Sequence, residues 1–418
     1  MRPEKPLNST LSKKNLMNKN GVDVLIAGGG VSGAAAAIAS ARQGFRTCLV
    51  EKEGFIGGIG YSGLLRNICG LYLNGDIVPT ETLNKGLASE IVSLLNKFAP
   101  QNTMKKIGRV YVLPYSREDL SSVFAELFSA EPKLDVYLNT AVVSVKKTGE
   151  EIAGITVENA GDKYDITPKV VIDCTGNGEV SSMAGADFAL SLPEERQLAG
   201  YVLRIKGIKD FDETLQIKVP FYLAEAADKK VISSYLRFST LSPGDAPDEG
   251  YLKLSVVATD AKSKENAVSE VLSAHKYLVE RIEQFKESYI VETSQAVMQR
   301  EGRRIKGEYT LTEEDILNAR KFPDGIVKNS WPIEIWDRNK GTIYKYIEKG
   351  EYYEIPLRCL KVKGLNNLLC AGRCISVSHA ALGSTRVMGT CISLGEQASI
   401  AAANKIKHGN YLLANNKT

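Results

Sequence analysis

The sequence lacks most of the features that would reveal a function at a glance. Its seven cysteines (Cys48, Cys69, Cys174, Cys359, Cys370, Cys374 and Cys391) form no C-x-x-C pair, which argues against a zinc ribbon or a thioredoxin-type dithiol. Their odd number and apolar surroundings read as buried, reduced thiols of a cytoplasmic protein. No segment offers the ~20 consecutive apolar residues that spanning a bilayer needs. The apolar run 22–41 holds Asp23, a glycine cluster and Ser32, and it begins too deep in the chain for a secretory leader. Charge is nearly balanced at +4, and residues 1–20, with five basic side chains against Glu4, account for the whole surplus. The remainder is neutral, which excludes an extended nucleic-acid surface, and the polar tail 1–20 is expected to be disordered. No internal repeat or low-complexity tract is visible, and no metal site is expected. A soluble protein without a membrane span follows.

What is present begins at Val22. Val22 to Ala27 is a short apolar run with β-branched residues, suited to a strand buried on both faces. Gly28, Gly30 and Gly33 follow at G-x-G-x-x-G spacing. In that pattern the first glycine permits a tight turn, the second lets backbone approach a pyrophosphate, and the third allows close helix–strand packing. Val31 to Arg42 is alanine-rich and predicts a helix whose first N–H groups form an anion site. "FRTCLVEK" then predicts a second strand ending in Glu51, 23 residues after Gly28, close to the ~20 expected for a carboxylate on a ribose hydroxyl. The competing reading, a glycine-rich turn that binds nothing, leaves Glu51 unexplained. Glu51 disfavours a 2′-phosphate and so NADP, leaving NAD and FAD.

A second glycine cluster, "EGFIGGIGYSG" (53–63), suits a cofactor that continues along the protein surface beyond the ribose. With it, the chain resembles the FAD-dependent oxidoreductases of the two-dinucleotide-binding-domain type. "KVVIDCTGNGEVSSMAGADF" (169–188) resembles their strand-then-"TG" segment, and "NNLLCAGRCISVSHAALGSTRVMGTCISLGEQASIAAA" (366–403) their C-terminal strand, turn and final helix. "REGRRIKGEYTLTEEDI" (300–316) and "YYEIPLRCL" (352–360) match in the same order, so the resemblance runs from about 22 to 406 with a poorly matched middle. It implies FAD contacts from Gly28, Gly30, Val31, Ser32, Gly33, Glu51, Lys52, Gly57, Gly58, Ser62 and Gly63, from Thr175 and Gly176, and by position from Val142. It further implies contacts from Gly372, Arg373, Met388, Gly389 and Thr390, where the positive end of the final helix would stabilise charge on the flavin. Gly372-Arg373-Cys374 stands where many relatives carry an aspartate, and Trp336 stands where a histidine is expected. No histidine lies in "GGIGYSG", so the FAD is expected to be held non-covalently.

The fold expected is α/β: a Rossmann-like FAD-binding domain with a central parallel sheet and a β-meander, residues 21–190 and 355–408. A smaller α+β substrate or cap domain, 191–354, interrupts it. Within the first part, helices are predicted over 87–98 and 117–130, the latter capped by Ser116. Turns at Gly149 and Gly161 divide the meander. Within the cap, "STLSPGDAPDEGY" (239–251) reads as a turn-rich linker and 267–289 as an amphipathic helix.

The expected function is hydride transfer between a small-molecule substrate and FAD. Of three histidines, His275 and His408 read as packing or surface residues, whereas His379, in a loop the resemblance places at the flavin, is the candidate proton carrier. Arg386 would bind a substrate carboxylate or stabilise negative charge, against an alternative reading as part of a buried ion pair. Arg304 and its neighbour Arg303 would point to opposite faces of a strand, one of them toward substrate. Cys370 and Cys374 read as packed thiols. With one glycine fingerprint only, reoxidation would use the same cleft, oxygen, a quinone or an electron-acceptor protein. Three rivals stand: a flavin monooxygenase, a non-catalytic FAD-binding redox subunit, and an NAD-dependent dehydrogenase, which would be colourless.

Overall fold

The structure, a computed structural model, describes residues 19–257 and 263–411. The expected tail falls outside these residues up to position 18, but Lys19 and Asn20 already belong to the first strand, Lys19–Ala27. That strand carries the parallel sheet, pairing on one side with Thr47–Val50 and on the other with Asp162–Asp173. Leu134–Tyr137 extends the sheet beyond Thr47–Val50. Strand Asp162–Asp173 does two jobs. Its first half pairs antiparallel with Glu151–Asn159, which pairs with Thr140–Thr148 to complete the meander, while Val171 to Asp173 pair parallel with Leu368–Cys370. A chain segment nearly 200 residues downstream therefore returns to finish the same sheet. The architecture is the expected α/β one, with a parallel-containing central sheet and a meander at its edge.

Helix Val31–Arg42 lies against this sheet and is buried over its first 11 residues. Alanine at most of these positions permits the approach. The final helix, Met388–His408, crosses it so closely that a Cβ on Gly395 would sit 1.9 Å from the Ser32 carbonyl oxygen. Gly395 thus brings the end of the chain onto the glycine-rich start. Helices Leu87–Phe98 and Arg117–Ser129 form as the sequence predicts, and the Ser116 side chain accepts the Asp119 N–H at the second.

A second hydrophobic core lies between 199 and 285. It packs helices Leu215–Asp228 and Ser263–Arg281 on one face of a four-stranded antiparallel sheet ordered 240–243, 250–256, 199–206, 289–293. This core is narrower than the 191–354 block drawn from the sequence. Ile305, Leu311, Ile316, Val327, Ile333 and Tyr353 pack instead in the first core. Two further expectations need correction. The linker 239–251 contains strand Thr240–Pro243, paired with Gly250–Val256. The helix 267–289 stops at Arg281, because Ile282 turns to extended backbone and Phe285 is drawn into the second core. The other face of the four-stranded sheet, with Val202 and Tyr251, meets Leu64 and Met298. Among the described residues no helix is long and apolar enough to cross a membrane.

Candidate active site

The glycine turn is built by backbone constraint. Gly28 has φ +97°, a region closed to most side chains, and a Cβ there would lie 2.5 Å from the Cys174 carbonyl oxygen. A Cβ on Gly33 would lie 1.8 Å from the Gly28 carbonyl oxygen. Gly30 differs from both: it caps the helix at φ −62°, and a Cβ added to it would meet nothing within 4 Å. The space is therefore open where the helix N–H groups converge, as a pyrophosphate requires. Gly57 bridges Gly30, its N–H donates to the Gly29 carbonyl at 2.8 Å, and Gly58 is also left-handed at φ +53°. The two glycine clusters thus form one surface. Val31 and Ser32 are buried in the first turn of the helix. The Ser62 hydroxyl turns back to the Gly58 carbonyl.

Glu51 ends the second strand and is nearly closed from solvent, and burial pushes its carboxyl above the ordinary range. It accepts the Gly29 N–H at 2.5 Å and the Glu53 N–H at 2.8 Å. Each carboxylate oxygen keeps a second lone-pair direction, so a ribose hydroxyl can still be bound. Lys52 points outward and is exposed, and Val142 is half-buried in the meander opposite Val157.

On the far side of the turn, buried Asp173 accepts from the Thr175 N–H and hydroxyl and from the Ser181 N–H and hydroxyl, which fixes the Thr175-Gly176 bend. Arg373 donates to the Gly176 carbonyl at 2.7 Å and to the Gln299 carbonyl at 2.5 Å. Gly372, at φ +88°, brings this arginine past Ser32. A guanidinium therefore stands where an acidic side chain was the family expectation.

The start of the final helix departs from the sequence reading at one atom. The Gly389 N–H already donates to the Cys69 carbonyl at 2.8 Å, and a Cβ on Gly389 would lie 2.7 Å from the Gly70 carbonyl oxygen. The loop 69–71 closes over that amide, so Met388 and Thr390 are left as the first-turn donors. The Thr390 hydroxyl is buried without a hydrogen-bond partner, and the half-buried Met388 sulfur lies 3.8 Å from the Tyr115 hydroxyl.

His379 opens helix His379–Thr385. Its Nδ1 lies 3.0 Å from Glu301 Oε1 and 3.2 Å from the Ser191 hydroxyl. Glu301 is sequestered, with a side chain 1% exposed, and Arg304 binds the same oxygen at 2.6 Å. Burial alone would raise the Glu301 carboxyl, but bonds from His379, Ser191 and the Gln197 N–H outweigh it and hold the group at about 2. These contacts anchor Nδ1 and leave Nε2 as the other ring nitrogen. Arg304 is itself buried and engaged with Glu301. Its guanidinium is turned toward Glu301 and the Ser191 hydroxyl. Its neighbour Arg303 pairs with Glu179 at 3.1 Å.

Arg386 donates to Gln197 Oε1 at 2.9 Å, to the Arg300 carbonyl at 2.8 Å and to the Glu334 carbonyl at 2.9 Å. All three acceptors are neutral, so the alternative of a buried ion pair does not hold. Burial, eased by the nearby Glu334 and Glu301 carboxylates, lowers its pKa to about 10. None of the seven cysteines is in a disulfide, and burial keeps Cys370 well above the ordinary range.

Sequence reasoning missed Glu301, Ser191, Gln197, Lys253, Arg300 and Glu334. Arg300 and Glu301 stood inside a quoted motif, "REGRR", but the other four carry no local pattern.

The profile of the family described as FAD dependent oxidoreductase matches residues 23–413. No curated protein matches the sequence. Among solved structures, a flavin-dependent brominase superposes with a TM-score of 0.51 at 14% identity, over 93% of this chain and 80% of that one. A geranylgeranyl bacteriochlorophyll reductase-like protein from Thermoplasma acidophilum gives 0.49 at 14% identity, over 93% and 79%. L-proline dehydrogenase from P. horikoshii gives 0.44 at 13%, over 94% and 95%. At such identities the brominase likeness speaks to the fold.

Proposed function

The chain belongs to the FAD dependent oxidoreductase family, and within it we propose a dehydrogenase or reductase that moves a hydride between a small-molecule substrate and non-covalently held FAD. The observation that carries this reading is the His379–Glu301 pair, with Nδ1 fixed by a buried carboxylate. Bound FAD supplies a two-electron acceptor or donor in its isoalloxazine ring. The open space at Gly30 and the paired glycine clusters fit the cofactor's pyrophosphate, and Glu51 fits its ribose.

The protein's own part is binding, orientation and proton movement. The helix N–H groups at Val31 to Gly33 bind the pyrophosphate, and the Met388 and Thr390 amides favour negative charge near the start of the final helix. When a substrate loses a C–H bond together with a neighbouring O–H or N–H bond, His379 Nε2 takes the proton, and in reduction it returns it. Glu301 holds the ring so that Nδ1–H donates and Nε2 accepts, and Arg304 is a second donor to the same carboxylate oxygen. The electrons then pass to a quinone, oxygen or an electron-acceptor protein.

The test is anaerobic titration of the purified holoprotein with candidate donors, following loss of visible flavin absorbance. A donor should bleach the wild type, and His379→Asn should slow bleaching by about 10²-fold or more, the scale of a positioned acid–base group. Consumption of NAD(P)H that requires oxygen and hydroxylates a substrate would favour a monooxygenase and overturn the proposal.

A further inference from the structure

Strand Gly250–Val256 alternates between the two faces of the cap sheet. Leu252 and Leu254 enter the cap's own core, so Lys253 belongs to the opposite face, the one that meets the FAD-binding domain through Tyr251, Leu64 and Met298. The Lys253 ammonium lies 4.4 Å from the centre of the Trp336 ring, and the Arg300 guanidinium 3.8 Å from the same centre. Arg386 reaches the adjoining backbone at Glu334 and Arg300. Three cations thus gather around one indole.

Their compensation is incomplete. Among the described residues none of the three forms an ion pair, and the carboxylate of Glu334 accepts instead from the Trp336 N–H at 3.0 Å and the Tyr344 hydroxyl at 3.3 Å. Arg386 has three neutral oxygen acceptors and Arg300 one, the Leu198 carbonyl, whereas Lys253 is engaged by the aromatic ring. Lys253, Arg300 and Arg386 are each half-buried as residues, so the space between them is not sealed from solvent. Burial lowers the Lys253 ammonium to about 8. A second, independent sign lies next to Trp336. Gln197 accepts through Oε1 from Arg386 and from the Trp336 backbone N–H, and its buried Nε2 donor has no partner. Leaving a buried donor and an uncompensated charge in one place is costly unless a ligand completes both.

We propose that this recess is the substrate subsite and takes a small organic acid, its carboxylate held by the Lys253 ammonium and the Gln197 amide against Trp336. The assignment rests on the dehydrogenase reading and names its substrate class. Three cations against one carboxylate leave an excess of two positive charges, so a dicarboxylic acid fits better than a monocarboxylic one.

The test is equilibrium titration of the holoprotein with succinate, with the neutral isostere succinamide and with inorganic phosphate, following flavin absorption and tryptophan fluorescence. Succinate should saturate, succinamide should not, and Lys253→Met should weaken succinate at least about tenfold, the loss of one hydrogen bond to a charged group. FAD content should stay at the wild-type level in that variant, and Lys253→Arg, which keeps the charge, should retain binding. Equal binding of succinamide, a response to phosphate alone, or unchanged succinate affinity in a folded Lys253→Met protein would overturn the assignment. Bleaching by an uncharged donor that ignores carboxylates would sink this subsite and spare the dehydrogenase reading. Carboxylate binding without bleaching by any donor would do the reverse.

Discussion

The cradle around Gly30 is made almost wholly of backbone, and its defining residues lie within about thirty positions of one another, from Gly28 to Gly58. The recess around Trp336 is made of side chains drawn from Gln197, Lys253, Arg300, Glu334 and Arg386, a span of nearly 190 residues. The first is fixed by what a Cβ would strike, the second by which charges are left without partners. A backbone site can be specified by a short pattern, because a glycine turn imposes its geometry locally. A side-chain site exists only once the four-stranded sheet packs against Leu64 and Met298, so nothing in the neighbourhood of Lys253 announces it.

The largest expected effect would break the cradle while leaving the recess chemistry untouched. Gly33→Ala drives a methyl group into the Gly28 carbonyl, and the overpacking should cost on the order of 3 kcal/mol in urea unfolding. An unchanged midpoint would mean that the turn yields easily and that the glycine is not required there.

Glu301 joins the two regions, since it holds His379 and contributes to the electrostatics of both Arg373 and Arg386. Glu301→Gln should destabilise by about 2 kcal/mol, because Arg304 loses its charged acceptor. It should slow turnover with little change in FAD content. With the Glu301 carboxyl at about 2 in the fold, its contribution is complete above the ordinary value of 4.5 and disappears as pH falls toward 2. The Gln variant should therefore lose part of the wild type's acid sensitivity in that window. Identical acid unfolding curves would contradict the assignment.

A smaller effect sharpens the contrast from the recess side. Lys253 is faced by Arg300, Arg386, Glu334 and Cys69. The arginines remain protonated at neutral pH, and burial raises the Cys69 thiol to about 12, so that it remains neutral. Organic-acid binding should then fall about tenfold per pH unit above about 8. Folding responds the other way: between about 8 and 10.5 the unfolded lysine still holds its proton, so unliganded protein gains stability as pH rises. FAD binding through the cradle should be flat over the same range. Parallel profiles for the acid and FAD would erase the distinction.

The same contrast explains what was legible in the sequence. Strand, glycines, helix and Glu51 were readable in order because each acts on its neighbours, and the closing segment 366–403 was readable through its resemblance. Strand Thr240–Pro243 was hidden by the prolines and glycines of the stretch 239–251, since only its partner Gly250–Val256 makes it a strand. Arg304 was singled out for its charge, yet its charge is spent on Glu301, a contact that adjacency in sequence does not reveal. The Gly389 amide was assigned to the cofactor because a helix start offers it, whereas the loop at Cys69, 320 residues earlier, takes it.

The central claim is that the open space at Gly30 belongs to FAD and to nothing in the protein. Titrating FAD into apoprotein of the wild type and of Gly30→Ala tests this most directly, with thermal unfolding of both apoproteins alongside. The added methyl meets no protein atom, so the apoproteins should melt together. FAD affinity should nevertheless drop at least about tenfold, since the backbone could no longer approach the pyrophosphate. Undiminished FAD binding by Gly30→Ala would contradict the account.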